Sequence, residues 1–380
     1  MARVMRWALP PVAAGLALAA GLTPAGAAAG ASWQISEVLS DPSAFLQGIA
    51  ASGPGNAVAA GTTVSSLVVQ QWTGSAWQAL TPPAGFVNLT SGSVNVSAAG
   101  TSAAGNTWIF AQKSQQASTE YALGWNGSAW TVSRLSSTNT VLGTAVFGPR
   151  NVWEFGAKPG SGANLGFGPA WVLRYNGSTW RPVTVPATPV WSSAVSASDI
   201  WALGPSAATV NKPTQVIVAV HWNGSSWHTL ALPKLAPAGG QPWVPDGIAA
   251  LSASQVWVAE TVAVNPGTGA APPGVTLLHW NGTAWAVAAR DLNHNYSPGL
   301  TPDGHGGFWL TSGSLTQPVT DIVHYTGGRW RRQPAPAVPG SAGEAGGLSR
   351  IPGTTSVWGT GLLTATGDGT TQADIIKYGP

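Results

Sequence analysis

The most constraining feature of this sequence is an internal repeat that has two halves. In the first half, two aromatic residues stand five positions apart around a glycine. Four of the copies place Asn-Gly between apolar runs, which predicts β-hairpins with type I′ turns. The copies are Trp72–Trp77, Trp125–Trp130, Tyr175–Trp180, Trp222–Trp227, Trp280–Trp285 and Tyr325–Trp330.

The second half of the repeat sets the number of units. It consists of an apolar residue, a tryptophan and a run of small residues, and in a degenerate first copy Val58 takes the tryptophan position. The other centres are Trp108, Trp153, Trp201, Trp257, Trp309 and Trp358. Neighbouring centres are 45 to 56 residues apart, which is the period of a four-stranded propeller blade. The sequence therefore predicts an all-β fold, a seven-bladed β-propeller.

One hairpin is missing from the count, and the two chain ends together can supply it. The last unit stops at Tyr378-Gly379-Pro380 without a following strand, whereas Ala31–Ser36 near the N-terminus has the pattern of Ser128–Ser133. Trp33 would then be the seventh outer-strand tryptophan. We expect the N-terminal strand to complete the last blade and close the ring, which avoids an unpaired edge.

The first residues have the features of a secretory signal peptide. Arg3 and Arg6 precede an apolar run from Trp7 to Leu22, and small residues follow up to Ala29. The run is shorter than the roughly 20 residues of a spanning helix, so an uncleaved anchor is the weaker alternative. We predict a signal peptide over 1–29, a propeller over 30–380, cleavage within 27–31, and a secreted, extracellular product without membrane attachment.

Composition and motifs exclude several classes of function. The chain has no cysteine and its charged residues amount to 8%, so disulfides are excluded, and the scattered Lys and Arg do not form the sustained basic surface that nucleic acid requires. Neither Gly-x-Ser-x-Gly nor His-Glu-x-x-His occurs. His221, His279 and His324 precede hairpin aromatics of different blades, so we interpret them as residues that recur with the repeat and not as a set of metal ligands. We expect no metal and no cofactor.

Loop lengths indicate which face carries function. The hairpin has a constant length, whereas the segment between the second strand and the next hairpin varies in length. Binding residues usually lie on such variable loops. Trp191 and Trp243 lie outside the repeat near links between blades, where they could stack on a sugar ring or an apolar partner. The alternative is that they cap blades as ordinary packing. Further candidates from the same stretch, whose alternative is a solvated loop, are Asp246, Glu260, Arg290, Asp291 and His294.

The repeat resembles those of Trp-rich repeat propellers in secreted bacterial proteins and, more loosely, tectonin, kelch and Asp-box propeller repeats. The resemblance spans Trp33 to Gly379 and is carried by the Asn-Gly-Ser-x-Trp hairpins and by segments such as Ser196–Trp201. Tectonin propellers are often lectins, so the resemblance implies sugar binding. Asp-box propellers include sialidases, but the full Ser-x-Asp-x-Gly-x-Thr-Trp motif is absent here.

These observations favour an exported, monomeric, non-catalytic binding propeller whose ligand is a glycan or a protein held at the variable loops. The alternative is an extracellular glycan-active hydrolase or lyase with its site over the central channel. Such an enzyme would need paired carboxylates, which the scattered acidic residues do not reveal in sequence.

Overall fold

The fold comes from a computed structural model that describes residues 31–114, 118–160, 167–212, 214–237, 243–262, 274–291, 299–314 and 317–379. These residues form seven antiparallel sheets of four strands each, which confirms the seven-bladed β-propeller. The single helical element in these ranges is a 3-10 turn at Ala84–Phe86, and no helix there is long and apolar enough to cross a bilayer. The predicted signal peptide and His294 lie outside the described residues.

The strands follow one another around the ring in chain order. In the first half of the chain they are β1 (Trp33–Val38), β2 (Phe45–Gly53), β3 (Asn56–Thr62), β4 (Leu67–Trp72), β5 (Trp77–Ala79), β6 (Ser93–Ala103), β7 (Asn106–Ser114), β8 (Ser118–Trp125), β9 (Trp130–Ser136), β10 (Thr140–Gly148), β11 (Asn151–Pro159), β12 (Phe167–Tyr175) and β13 (Trp180–Pro182). In the second half they are β14 (Trp191–Ser196), β15 (Asp199–Pro205), β16 (Ile217–Trp222), β17 (Trp227–Ala231), β18 (Trp243–Ser252), β19 (Gln255–Val262), β20 (Val275–Trp280), β21 (Trp285–Asp291), β22 (Thr301–Pro302), β23 (Phe308–Ser314), β24 (Gln317–Thr326), β25 (Arg329–Pro334), β26 (Ser341–Arg350), β27 (Val357–Ala365) and β28 (Thr371–Tyr378).

Each blade is one such sheet, numbered here along the chain. Blade 1 contains β2 to β5, and every later group of four strands up to β25 forms the next blade. Blade 7 contains β26, β27, β28 and β1. Within a blade the first strand is the inner one and the fourth is the outer one.

The predicted ring closure is confirmed. Strand β1 pairs antiparallel with β28 and places Trp33 opposite Tyr378, the same register that pairs Trp72 with Trp77 in blade 1. The Trp33 ring is 7% exposed and meets Trp309 of blade 6 edge-on at 5.3 Å between ring centroids. The N-terminal strand therefore completes both the sheet of blade 7 and the packing between blades 6 and 7.

The repeated tryptophans form the layers between blades, as the periodicity predicts. The second-strand tryptophan of one blade lies against the hairpin aromatics of the next. Trp358 of blade 7, for example, lies 5.0 Å from both Trp72 and Trp77 of blade 1, measured between ring centroids. Large apolar rings therefore hold neighbouring sheets together without disulfides.

The three histidines of the repeat are structural, as expected. His221 stacks on Trp201 at 4.2 Å and its Nε2 lies 2.9 Å from Asp199 Oδ1. His324 stacks on Trp309 at 4.0 Å and its Nε2 lies 2.8 Å from Asp303 Oδ2. His279 occupies the matching position on Trp257, with Gln255 as its partner. Each ring is fixed within its own blade, so the three do not converge.

The hairpins form where predicted, but the type I′ turn is wrong. In blade 2, Gly127 has a φ of 97°, whereas Asn88 is the single non-glycine residue with positive φ in the described ranges. Asn126 therefore keeps negative φ, and its Oδ1 accepts hydrogen bonds from the backbone N–H of Ser128 (3.0 Å) and Ala129 (2.9 Å). The reason is loop length: four residues separate the paired aromatics, so the asparagine side chain stabilises the turn as an Asx turn does.

Candidate functional site

The two faces of the ring differ in their connections. Antiparallel order places the loops between second and third strands on the same face as the links to the next blade. On this face, which we call the variable-loop face, the segment between the second and third strands covers 63–66 in blade 1 but 206–216 in blade 4. The opposite face carries the hairpins, where Trp125 and Trp130 or Trp222 and Trp227 stand opposite each other. Variation in loop length between the blades therefore concentrates on the variable-loop face.

Trp191 lies at the variable-loop end of blade 4. It is the first residue of inner strand β14 and stands opposite Leu203 in β15. Its ring packs against the apolar cluster between blades 4 and 5, which includes Trp201 and Val258, while part of the side chain stays exposed. Trp191 therefore combines the packing role with a free edge.

Trp243 of blade 5 lies farther toward the outside of the variable-loop face than Trp191 does. It is the first residue of inner strand β18 and stands opposite Val262, and its Nε1 donates to the Ala236 carbonyl oxygen at 3.0 Å. Trp191 is level with the second residue after the blade tryptophan and Trp243 with the fifth, so the two differ in height by about 10 Å at the usual rise per strand residue. The two rings therefore do not lie in one plane and do not form one flat binding surface.

Glu260 lies on the side of blade 5 that faces blade 4, so it enters the same layer as Trp191. It lies on β19 opposite Pro245 and Thr276, and strand alternation places it on the same face as Val258, which packs with Trp191. The side chain is 5% exposed, and burial raises the pKa of the Glu260 carboxyl to about 7. A carboxyl that exchanges its proton near neutral pH can both donate and accept hydrogen bonds.

The remaining candidates separate onto the two sides of blade 5. Arg290, on outer strand β21, is exposed and continues the row of Glu260 and Thr276. Asp246 lies at a bulge of β18 and accepts a hydrogen bond from Thr261 Oγ1 (3.1 Å). Burial raises the pKa of Asp246 to about 6, against a smaller lowering by that hydroxyl.

Four of the sequence candidates border the layer between blades 4 and 5. Trp243, Glu260 and Arg290 lie on the side of blade 5 that faces blade 4, and Trp191 lies on the side of blade 4 that faces blade 5. We call this set the blade 4/5 mouth. Asp246 bonds to Thr261, which alternates onto the opposite side, and so does Asp291, which stands opposite Val275.

Sequence reasoning missed three buried carboxyl groups, Glu120, Glu154 and Asp374, which are 1%, 0% and 1% exposed. A signal existed for Glu154, because it directly follows the blade tryptophan in a position that is otherwise apolar or small. The corresponding residues are Ala59, Ile109, Ala202, Val258, Leu310 and Gly359. An acidic residue at a repeat position that is otherwise apolar or small is a candidate for ligand binding or another specific role.

Comparison with known proteins supports the fold but assigns the chain to no family. No protein-family model matches the chain, and no curated protein does. Among solved structures, YCF48 bound to D1 peptide superposes with a TM-score of 0.54 and 8% identity over 92% of this chain and 95% of that chain. SapL1 lectin in complex with alpha methyl fucoside gives 0.45 and 13% over 78% and 99%, and a fucose-specific lectin from Aleuria aurantia gives 0.45 and 12% over 80% and 99%. The likeness to YCF48 supports the propeller fold.

Proposed function

We propose that this protein is an exported, monomeric, non-catalytic propeller that binds a glycan at the blade 4/5 mouth. The observation that carries the proposal is the partly exposed ring of Trp191 on one side of the layer between blades 4 and 5, with the carboxyl of Glu260 on the other side. A sugar ring has an apolar C–H face that stacks on an indole, and hydroxyl groups that need a donor or acceptor beside it. Binding sites of this kind combine aromatic walls with a few placed polar groups.

Charge supports a glycan over a charged macromolecule. With charged residues at 8% of the chain and a Glu260 pKa of about 7, the mouth suits hydrogen bonding to hydroxyl groups better than ion pairing. Arg290 at the rim is the charged exception, and it would suit a carboxylate or sulfate on a sugar. A protein ligand is the second possibility, which the same experiment distinguishes.

Trp243→Ala is expected to weaken glycan binding at least about tenfold, the equivalent of 1.4 kcal/mol, with little change in Tm, because its ring lies at the rim. Trp191→Ala should weaken binding and also lower Tm, because part of its ring fills the inter-blade layer. The double variant should abolish binding. A glycan array, followed by titration of the best hit and thermal melts of each variant, measures both effects.

The matched control is Trp125→Ala on the hairpin face, which should lower Tm while leaving affinity unchanged. Unchanged affinity in the double variant would contradict the proposal. Capture of a protein from a surface pulldown, with no glycan hit, would move the ligand to the protein class. Cleavage of the glycan hit, lost in Glu260→Gln or Asp246→Asn, would favour the hydrolase or lyase alternative, although the two carboxyls lie on opposite sides of blade 5.

Export is the second part of the proposal and rests on the sequence features of residues 1–29. The mature chain is expected to begin between Ala28 and Ser32, directly before β1, because closure of the ring requires Trp33 and the rest of that strand. N-terminal sequencing of the secreted protein measures this. A membrane-bound form that begins at Met1 would contradict it.

A further inference from the structure

A fully buried glutamate faces the layer between blades 2 and 3. Glu154 on β11 is 0% exposed, and among the described residues no side chain forms a hydrogen bond with its carboxyl oxygens, which only the backbone N–H of Leu173 approaches. Alternation places it on the same side as Val152, which packs against Phe110 and Ala122 of blade 2. One backbone N–H does not compensate the burial of an ionised carboxylate, so the side chain needs a ligand or a proton.

A second glutamate enters the same layer from blade 2. Glu120 on β8 is 1% exposed and accepts hydrogen bonds from Ser97 Oγ at 3.1 and 3.2 Å. Gln112 Nε2 lies 3.5 Å from Glu120 Oε1, and the backbone N–H of Val141 in blade 3 approaches this carboxyl and lowers its pKa, against the larger rise caused by burial. Glu120 is close enough to Glu154 for its charge to raise the pKa of Glu154, after the larger effect of burial.

No ion pair neutralises the two carboxyls within the part of the chain that the structure describes. The walls of the layer are apolar and aromatic: Trp108, Phe110, Val152, Trp171 and Trp180 all pack there. Trp171 stands opposite Gly156, so one of the tryptophans outside the repeat covers this site.

The oxygen atoms around the pair fit one class of ligand. The two carboxylates supply four oxygens, Ser97 Oγ a fifth, and the Gln112 amide a sixth when its oxygen turns toward the pair. Nitrogen and sulfur donors are not part of the set, which argues against zinc and other soft metals. Calcium takes six to eight oxygen ligands in irregular geometry, whereas magnesium usually retains several waters and prefers regular octahedral geometry.

We propose that Glu120 and Glu154, with Ser97 and Gln112, bind a divalent cation of the calcium type between blades 2 and 3. The cation neutralises both carboxylates and ties the two blades together. This site is independent of the blade 4/5 mouth, and it departs from the sequence expectation of no metal. Affinity in the range of extracellular calcium modules, a Kd of about 10⁻⁴–10⁻³ M, suits an exported protein.

Calcium titration of the full mature chain tests the site. We expect Tm to rise with added Ca²⁺ and to fall again with chelator, and bound Tb³⁺ to luminesce on tryptophan excitation because Trp171 is adjacent. Glu154→Gln and Glu120→Gln, which keep the shape of the side chain, should each weaken Ca²⁺ binding more than about tenfold, the lower bound for losing even an outer-shell partner of a metal.

Asp374→Asn is the matched control, because Asp374 is equally buried and Oδ1 has no hydrogen-bond partner, but it lies between blades 6 and 7. It should keep the full response to Ca²⁺ and Tb³⁺. The proposal is overturned if the wild-type protein shows no Ca²⁺-dependent change in Tm, since the two carboxyls would then be held as protonated acids. It is equally overturned if Glu154→Gln responds to Ca²⁺ as strongly as the wild type and the control Asp374→Asn do.

Discussion

Deletion of Ala31–Ser36 from the mature chain is expected to destabilise the whole ring, the largest effect of any change considered for this fold. The deletion removes most of β1, so β28 loses its antiparallel partner from Trp33 to Ile35 and blade 7 exposes an edge strand. It also removes the Trp33 ring from the layer that contains Trp309 and Ile376. Chemical denaturation and thermal melts measure the loss.

Trp33→Ala isolates the packing part of that loss. A buried tryptophan truncated to alanine typically costs about 3–5 kcal/mol, so the single substitution should account for a large share of the effect. The control is a permuted chain in which Ala31–Val38 follows Pro380. This fusion restores the five-residue spacing between Tyr378 and Trp33 that the other hairpins have, so it should recover stability. A deletion that melts like the wild type would refute closure as a source of stability.

Asp374→Asn is expected to remove one defined part of the pH dependence of stability, beside the parts that the other buried carboxyl groups contribute. Asp374 is 1% exposed, and burial raises its pKa from 3.8 to about 7, against a smaller lowering by a backbone N–H. A raised pKa in the folded state means that the folded protein prefers the protonated acid. Its contribution is therefore fully present below about pH 3.8 and is lost as the pH rises to about 7. The whole loss is about 4 kcal/mol.

Urea unfolding of the wild type and of Asp374→Asn at pH 5 and pH 8 measures this difference. The wild type should lose more stability than the variant between the two pH values, and the variant should be the more stable of the two at pH 8. Asp368→Asn is the control, since Asp368 is exposed and its pKa is lowered by the backbone N–H and hydroxyl of Thr370, so it titrates below the window. Equal slopes for the wild type and Asp374→Asn would contradict the prediction.

Much of the fold follows from short-range patterns in the sequence. The aromatic pair of each hairpin, five residues apart, identifies a turn and the two strands beside it, and the tryptophan of the second strand counts the blades. Even the closing strand was predictable, because Ala31–Ser36 repeats the pattern of an outer strand. The turn type was not, since the φ of Asn126 depends on the hydrogen bonds that its own side chain makes, which the Asn-Gly pair does not reveal.

The candidate site was predictable only in part. Trp191 and Trp243 are conspicuous in the sequence because they break the repeat, yet their different heights and the packing of Trp191 depend on the register of the inner strands. Asp246 and Glu260 come from one stretch of chain, and a β-bulge with strand alternation sends them to opposite sides of one sheet. Proximity in sequence was therefore a poor guide to proximity in space.

The sequence by itself determined the blade count, the hairpins and the closure, because a propeller repeats one local unit and each copy carries its own signal. Only the tertiary structure decided which unlike positions of neighbouring blades face each other. Glu120 and Glu154 come from different strands of different repeats, and Glu260 and Trp191 likewise enter one layer from different blades. No periodic pattern encodes such pairs, since they arise where twisted sheets pack face to face, and this packing decides where charge is buried and where a ligand can bind.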